Sequence, residues 1–508
     1  GRPAAAAAGL GRRRPASRRR DSRLTGPSSS LKLSVRSLLR RPPVTCSPGE
    51  TVAGASRTMA AQGIGSVIVV DPGGQLVGIV TDRDLRGRVL AAGRSADERV
   101  EAIMSAPVVS ISPEAVVFEA LLEMTRRGIH HLAVVEGGRL VGVVSSHDLL
   151  LLQAAAPLEL ARLVQSRASL DDLAAVMPEL TAAIRGLFEQ QVSGYELGRI
   201  VAEVNDLVLR RVLALVEQAL ADEGVGVAPV RYCWLVLGSE GRREQTIRTD
   251  QDNALVYEDP APGLRSWATR YFQLLAGRAI AALVRLGYPP CPADSMASNP
   301  QWCQSLEVWR GYFAEWVRDP EPQHLLYSSI YFDFRPVAGA DELATALRQQ
   351  IRDQVKAWRS FPRHLGKLAV SHGPPLGLFG RFLLERRDNA RGINLKLNAM
   401  LLLVNALRAY AIELGLDETN TLERLAAATR AGGCFTADEA EEVREAYETI
   451  FRLRLRHQLA RLAEGRQPDN FVDPRRLGRA DQQRLREAFR AIRRLQGTIE
   501  DRYLTEML

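Results

Sequence analysis

Apolar positions along the chain change period several times. Between about residues 38 and 152, short β-branched runs at 67–70 and 76–80 flank the turn Asp71-Pro-Gly-Gly-Gln and read as paired strands between helical stretches. From Pro157 to about Ala221 the period becomes helical: Leu160, Leu163 and Val164 form one stripe, and Ile200, Val201, Val204, Leu207 and Val208 another. Apolar strands are predicted next at 232–237 and 254–257. A strictly alternating run at 329–336 predicts a third, with Tyr331, Asp333 and Arg335 on one face and Ile330, Phe332 and Phe334 on the other. Beyond residue 341 the pattern is helical almost throughout. Leu395, Leu397, Met400, Leu401, Val404 and Leu407 mark its strongest stripe, and Asn420-Thr421 starts a further helix.

The first region repeats. Pro48, Gly63-Ile64 and Val69-Val70 recur 65 residues later as Pro113, Gly128-Ile129 and Val134-Val135. Gly78, Val80, Asp84 and Leu85 recur at an offset of 64 as Gly142, Val144, Asp148 and Leu149. Each copy reads as an extended lead-in, helix, strand, turn, strand and helix, and two such half-buried units complete a core by packing together. The strings Gly78-Ile-Val-Thr81-Asp-Arg-Asp84 and Gly142-Val-Val-Ser145-Ser-His-Asp148 resemble those of CBS domain pairs. That resemblance implies an adenine-nucleotide ligand, with Thr81 or Ser145 meeting phosphate or ribose and Asp84 or Asp148 accepting from the ribose hydroxyls. From the residues alone, Thr-x-x-Asp and Ser-x-x-Asp are equally capping boxes that satisfy free N–H groups at a helix start. Both readings stay open. His130 and His131 are expected to be packing or surface residues. Sensing and homodimerisation, not catalysis, are the roles expected of this module.

The chemistry is concentrated in the segment from Tyr232 to Tyr257. Its first strand runs into Gly238-Ser239, where glycine permits a sharp turn and consecutive N–H groups can cradle phosphate. Asp250 follows Ser239 by eleven residues, and Asp252 comes next at the head of the second strand. Residues i and i+2 of a strand share a face. Two carboxylates side by side repel unless a cation lies between them, and hard oxygen donors suit Mg²⁺. Asp333, an acid amid an apolar run, needs a partner or a ligand of its own.

Gly-Ser, a spacer and Asp-x-Asp resemble the nucleotidyltransferase superfamily that includes DNA polymerase β, and Gly-x-Gly-Arg-x-Glu followed by Asp-x-Asp is similar to its protein-PII uridylyltransferase group. The longer string Gly238-Ser-Glu-Gly-Arg-Arg-Glu-Gln and then Thr249-Asp-Gln-Asp-Asn-Ala is similar to bacterial nucleotidyltransferases that carry CBS pairs. The resemblance implies Asp250, Asp252 and Asp333 as the catalytic and metal-binding carboxylates, holding two Mg²⁺ ions about 3.5–4 Å apart. It also implies Gly238, Ser239 and Arg242 as contacts to the phosphates of a nucleoside triphosphate. A salt bridge from Arg242 to Glu244 is the plainer alternative for that arginine. The stretch from Asp294 to Trp302 matches the family as well, and serves either acceptor or nucleotide contact or loop packing. Asn394 stands where relatives often carry Asp. Lys396 and Arg408 are candidates for contact with an anionic ligand.

Composition trims the alternatives. The net charge of +8 is local: residues 1–41 hold twelve Lys or Arg against Asp21, leaving the remaining chain at −3. A nucleic-acid surface is therefore not indicated. The Arg-rich leader of residues 1–37 is expected to be disordered, a transit peptide being the alternative. Five scattered cysteines without a CxxC pair argue against a disulfide framework or zinc site and for a reducing cytosol, hence a cytoplasmic protein. No apolar run approaches the roughly 18–20 residues of a bilayer span, so no membrane partner is expected. The expected fold is α+β and multidomain: a tandem CBS pair at 38–152, a helical connector at 157–222, a polymerase β-like α/β domain at 223–340 and a helical substrate-binding domain at 341–508. The expected activity is transfer of a nucleoside monophosphate to a hydroxyl of a PII-like protein or a small molecule. The alternative is a catalytically silent adenine-nucleotide sensor.

Overall fold

The computed structural model describes residues 33–39, 41–150, 161, 163–189, 192–247, 250–387 and 390–503. The leader up to residue 32 lies outside them. Each CBS copy builds a three-stranded sheet: β1 (Thr45–Cys46), β2 (Ser66–Val70) and β3 (Leu76–Thr81), then β4 (Ser110–Ile111), β5 (His131–Glu136) and β6 (Arg139–Ser145). In both, the central strand pairs parallel to the first strand and antiparallel to the last strand. The two copies exchange their lead-ins. Val35 N–H donates to the Ala115 carbonyl and Val117 N–H to that of Leu33, while 65 residues on Val100 donates to Glu50 and Val52 to Glu98. Val35 and Leu38 accordingly pack with Val117 and Leu121 of the second copy, and Val100 and Ile103 with Val52 and Met59 of the first. The packed pair thus starts before the visible repeat, because its opening turn belongs to the other copy's core.

A long helix, Gly194–Asp222, is the spine. Ser193 and Glu196 form a capping box at its start. Its first half, with Leu197, Ile200 and Val201, joins the core shared with the second CBS copy and the C-terminal helices; its second half, from Val204 to Leu220, joins a separate core. Between these cores lies the sheet β10–β7–β8–β9, made of β7 (Tyr232–Val236), β8 (Asn253–Tyr257), β9 (Cys303–Ser305) and β10 (Arg335–Gly339). Strand alternation sends Cys233 and Leu235 to one core and Tyr232, Trp234 and Val236 to the other, so both faces are buried.

One expectation is corrected. Residues 329–331 end a helix, Pro322–Tyr331, and the strand begins only at Arg335, leaving Asp333 in the junction. Its apolar alternation arises because Tyr331, Phe332 and Phe334 all enter one core. The C-terminal third also contains a small sheet, β11 (Glu385–Arg387), β12 (Ala390–Asn394) and β13 (Phe471–Val472), amid its helices. Lys396–Leu414 is long and apolar enough to cross a membrane by length and composition, but 67% of its apolar window is buried inside the protein, as in a core helix.

Candidate active site

Strand β7 ends where Leu237 N–H donates to the Asp252 carbonyl (2.9 Å), drawing the turn against the head of β8. Gly238 opens a short helical turn at φ +52°, a left-handed conformation that glycine tolerates. Its missing side chain leaves room beside Asp252: a Cβ there would stand 3.0 Å from the carboxylate Oδ2. Ser239 follows, partly exposed. Gly241 closes the turn so tightly that a Cβ would fall 1.6 Å from the Asp333 carbonyl oxygen.

Asp250 and Asp252 stand together before β8. Lys396 of the C-terminal region donates to both Asp250 oxygens, at 3.0 and 3.3 Å. Asn394 ends β12 and accepts from the backbone N–H groups of Lys396 and Leu397, both at 3.1 Å, so it fixes the turn that aims the ammonium. Burial and the neighbouring Asp250 push Asp252 up to about 6. Cys291 supplies a donor that the sequence pattern does not announce. Burial and the Asp252 charge push its thiol up to about 11, and it hydrogen-bonds the Asp252 carboxylate. One ligand atom from each of Asp250, Asp252 and Cys291 lies within 4.8 Å of the others, the group among the described residues suited to a metal ion. The loop from Asp294 to Trp302 holds this arrangement in place: Asn253 N–H donates to the Ser295 carbonyl, Ala297 N–H donates to Asn253 Oδ1, and Trp302 packs on Tyr331 at 4.3 Å between centroids.

Asp333 and Arg242 do not join this group, contrary to expectation. Asp333 is wholly buried, and its two oxygens accept from Arg242 Nη1 (2.7 Å), Arg408 Nη2 (2.6 Å) and Arg424 Nη2 (2.7 Å). Burial would raise its pKa, but three guanidinium groups overcome that and hold it well below the usual carboxylate range. An oxygen pair so engaged is not available to a metal ion. Arg242, also buried, divides itself between Asp333 and Glu244 Oε2 (2.9 Å), which is the salt-bridge alternative with a second partner added. Arg408 likewise meets an internal anion. The staple extends through Thr419 Oγ1 to the Gly241 carbonyl and Asn420 Nδ2 to that of Arg242, both at 2.9 Å.

Behind the turn lies a second buried charge cluster. Asp206 of the spine helix pairs with Arg335 at 2.5 and 2.9 Å. Burial and Asp206 together push the nearby Glu240 up to about 8. Glu203, one turn earlier, accepts from Arg126 of the CBS helix Val117–Arg127 at 2.9 and 3.2 Å, and its Oε1 lies 3.7 Å from Arg243 Nε in the active-site turn. Glu203 Oε2 and Arg243 Nε are both buried without a hydrogen bond.

In the CBS pair the capping boxes form. Asp84 Oδ2 accepts from Thr81 N and Oγ1 at 2.9 and 2.7 Å, and Asp148 Oδ2 from Ser145 N and Oγ at 2.8 and 2.6 Å. The copies then differ. Asp84 is buried and its other oxygen accepts from Ser105 (3.1 Å), whereas Ser145 and Asp148 line a cavity of about 410 Å³ between the copies, with Arg41, Asp82 and His131. His131 thus faces a cavity; Thr81 and Asp84 are outside its lining.

Replacing Asp333 by Asn should cost about 3–5 kcal/mol, because three buried guanidinium groups lose their anion; urea unfolding measures it, and a loss below about 1 kcal/mol would contradict the assignment. Asp252→Asn should act oppositely. A carboxyl raised to about 6 binds more protons folded than unfolded, so its ionisation erodes stability as pH rises from about 3.8 to about 6. The variant should therefore be more stable than the parent by about 1–3 kcal/mol at pH 8, with the difference vanishing below pH 4. Thermal melts across that range test it.

Comparison with known proteins follows this division. The family described as "Putative nucleotidyltransferase DUF294" matches residues 178–323, "Putative nucleotidyltransferase substrate binding domain" matches 359–503, and the CBS domain matches 35–91 and 100–155. The first match begins within the helical stretch before β7 and ends before Asp333. MK0525 of Methanopyrus kandleri is 38% identical over 120 residues, 23% of this chain and 61% of that protein. The CBS domain-containing protein YhcV of Bacillus subtilis is 34% identical over 116 residues, 23% of this chain and 82% of that one. The solved CBS domain protein PAE2072 of Pyrobaculum aerophilum, complexed with AMP, is 28% identical and covers 24% of this chain and 98% of its own, with a TM-score of 0.23. The chain spans less than two thirds of the length of several curated relatives it matches, 61% for MK0525 and 23% for the CBS protein CBSCBSPB2 of Arabidopsis thaliana. The chain belongs to the CBS domain-containing proteins, and joins a CBS pair to the two domains of the DUF294 nucleotidyltransferase family.

Proposed function

We propose that the chain transfers a nucleoside monophosphate from a nucleoside triphosphate to a hydroxyl, on a PII-like protein or a small molecule, under the control of an adenine nucleotide bound by its CBS pair. The observation that carries this reading is the Asp250–Asp252 pair beside the Gly238-Ser239 turn, with Lys396 already neutralising one of its charges. The donor set fits Mg²⁺: two carboxylates that repel each other, one of them raised towards neutrality. Asp250 and Asp252 would hold the Mg²⁺, which would supply charge neutralisation of the phosphates and the leaving group.

The chain's own residues do the rest. Gly238 lets the backbone approach the phosphates without a Cβ in the way, and the Ser239 hydroxyl donates to them. Lys396 turns from Asp250 to a phosphate oxygen as substrate enters. The buried Arg454, whose charge acts on Asp250 as well as on Glu244, adds positive potential. The acceptor oxygen then attacks the α-phosphorus in line, the bond to the bridging oxygen breaks, pyrophosphate leaves and the hydroxyl proton passes to water. With Asp333 committed to arginines, catalysis rests on positioning and charge stabilisation rather than on a third carboxylate. That commitment also favours the second reading, a silent sensor that keeps the fold without turnover.

Control of the site is supported by Glu203, one carboxylate shared between a CBS helix and the active-site turn. The cavity beside Ser145 and Asp148 has the size of a nucleotide pocket and offers hydroxyl, carboxylate and Arg41 donors and acceptors. Association into a homodimer through the CBS pair belongs to the same proposal.

Incubation with each labelled triphosphate and Mg²⁺, with and without cell extract, should release pyrophosphate and label an acceptor. Asp252→Asn should lower that rate about a hundredfold or more. Adenine-nucleotide binding with no turnover on any triphosphate would favour the sensor instead. In the parent, an adenine nucleotide should change the transfer rate. In Arg126→Ala the nucleotide should still raise the melting temperature while leaving the rate unchanged; a retained rate response would remove Glu203 from the route.

A further inference from the structure

The transferase reading uses two sides of a three-sided cluster and leaves Cys291 idle. A hard ion such as Mg²⁺ takes oxygen donors and has little use for sulfur, whereas a thiolate flanked by carboxylates suits a borderline or soft divalent ion. Cys291 is buried and its sulfur is among the three ligand atoms that lie within 4.8 Å of one another. A further group faces the same place. Tyr331 is wholly buried, its hydroxyl has Ser295 beside it but completes no hydrogen bond of full geometry, and the charges of Asp252 and Cys291 both act on it. A buried hydroxyl short of a full hydrogen bond retains capacity for something that enters the cluster, such as water on a bound ion. The remaining cysteines, Cys46, Cys233, Cys303 and Cys434, have no such company among the described residues.

We propose that Asp250, Asp252 and Cys291 form a site for a thiophilic divalent cation of the Zn²⁺ or Cd²⁺ class, overlapping the position that Mg²⁺ takes in transfer. Binding breaks the S–H bond, sends the proton to water and forms a sulfur–metal bond, with no change of oxidation state. Such an ion shares both carboxylates with the Mg²⁺ centre and so excludes Mg²⁺ from it. The consequence for transfer rests on the function proposed above; the binding itself does not.

Titration of the full chain with Cd²⁺ tests the site through the ultraviolet absorption that thiolate–metal bonds produce. The parent should gain an increment that saturates at one ion per chain. Cys291→Ser, verified as folded by an unchanged melting temperature, should lose that increment, and Asp252→Asn should weaken Cd²⁺ binding about tenfold or more. An increment that persists in Cys291→Ser would assign the ion to another cysteine and overturn the proposal, as would no increment in the parent. Should the increment appear in a chain that turns over no triphosphate, the ion site stands and the transferase reading fails. Turnover without the increment would remove the ion site and leave the transferase reading standing.

Discussion

One carboxylate under three guanidinium groups organises the centre of this protein. Asp333 sits in the junction between a helix end and β10, wholly out of water, where an unpaired charge would cost several kcal/mol. Arg242 reaches it from the active-site turn, Arg408 from the Lys396–Leu414 helix and Arg424 from the helix Thr421–Ala431. Three parts of the chain are thus tied by one acid, and loss of that acid would leave three buried guanidinium groups without their shared anion. The turn that approaches Asp252 therefore cannot be shaped apart from the C-terminal helices.

The same dependence appears on the opposite side of the turn with reversed charge. There a carboxylate, Asp250, meets an ammonium, Lys396, whose position follows from the small sheet and from Asn394. This contact is partly open to water, so it is weaker than the buried ones and can be exchanged. The turn is therefore rigid where it faces Asp333 and adjustable where it faces Asp250, a division suited to a site that must admit a charged ligand. The Glu203 cluster adds a third boundary, with polar atoms left unmatched between a CBS helix and Arg243.

What can be read from sequence is what lies close together along it. Gly238, Ser239, Asp250 and Asp252 fall within one hairpin, where strand geometry forces them to meet. The CBS repeat announces itself by internal comparison, down to the capping hydroxyls. Asp333 is misplaced by its pattern for the opposite reason. Its partners Arg408 and Arg424 lie 75 and 91 residues away, and a helix end rich in aromatics imitates strand alternation. Cys291 escapes notice because only a loop hydrogen-bonded to Asn253 brings it to Asp252. Lys396 is legible as a candidate cation but not as a partner for Asp250, since β12 and β13 carry no strong strand signal of their own.

The exchanged lead-ins of the CBS pair have a consequence for how that module responds. Residues 33–38 complete the second copy and residues 100–103 the first, so neither half possesses a finished interior by itself. The pair is laced rather than stacked. A molecule settling in the cavity between the copies cannot tighten one without drawing on the thread of the other, and the module answers as a single knot.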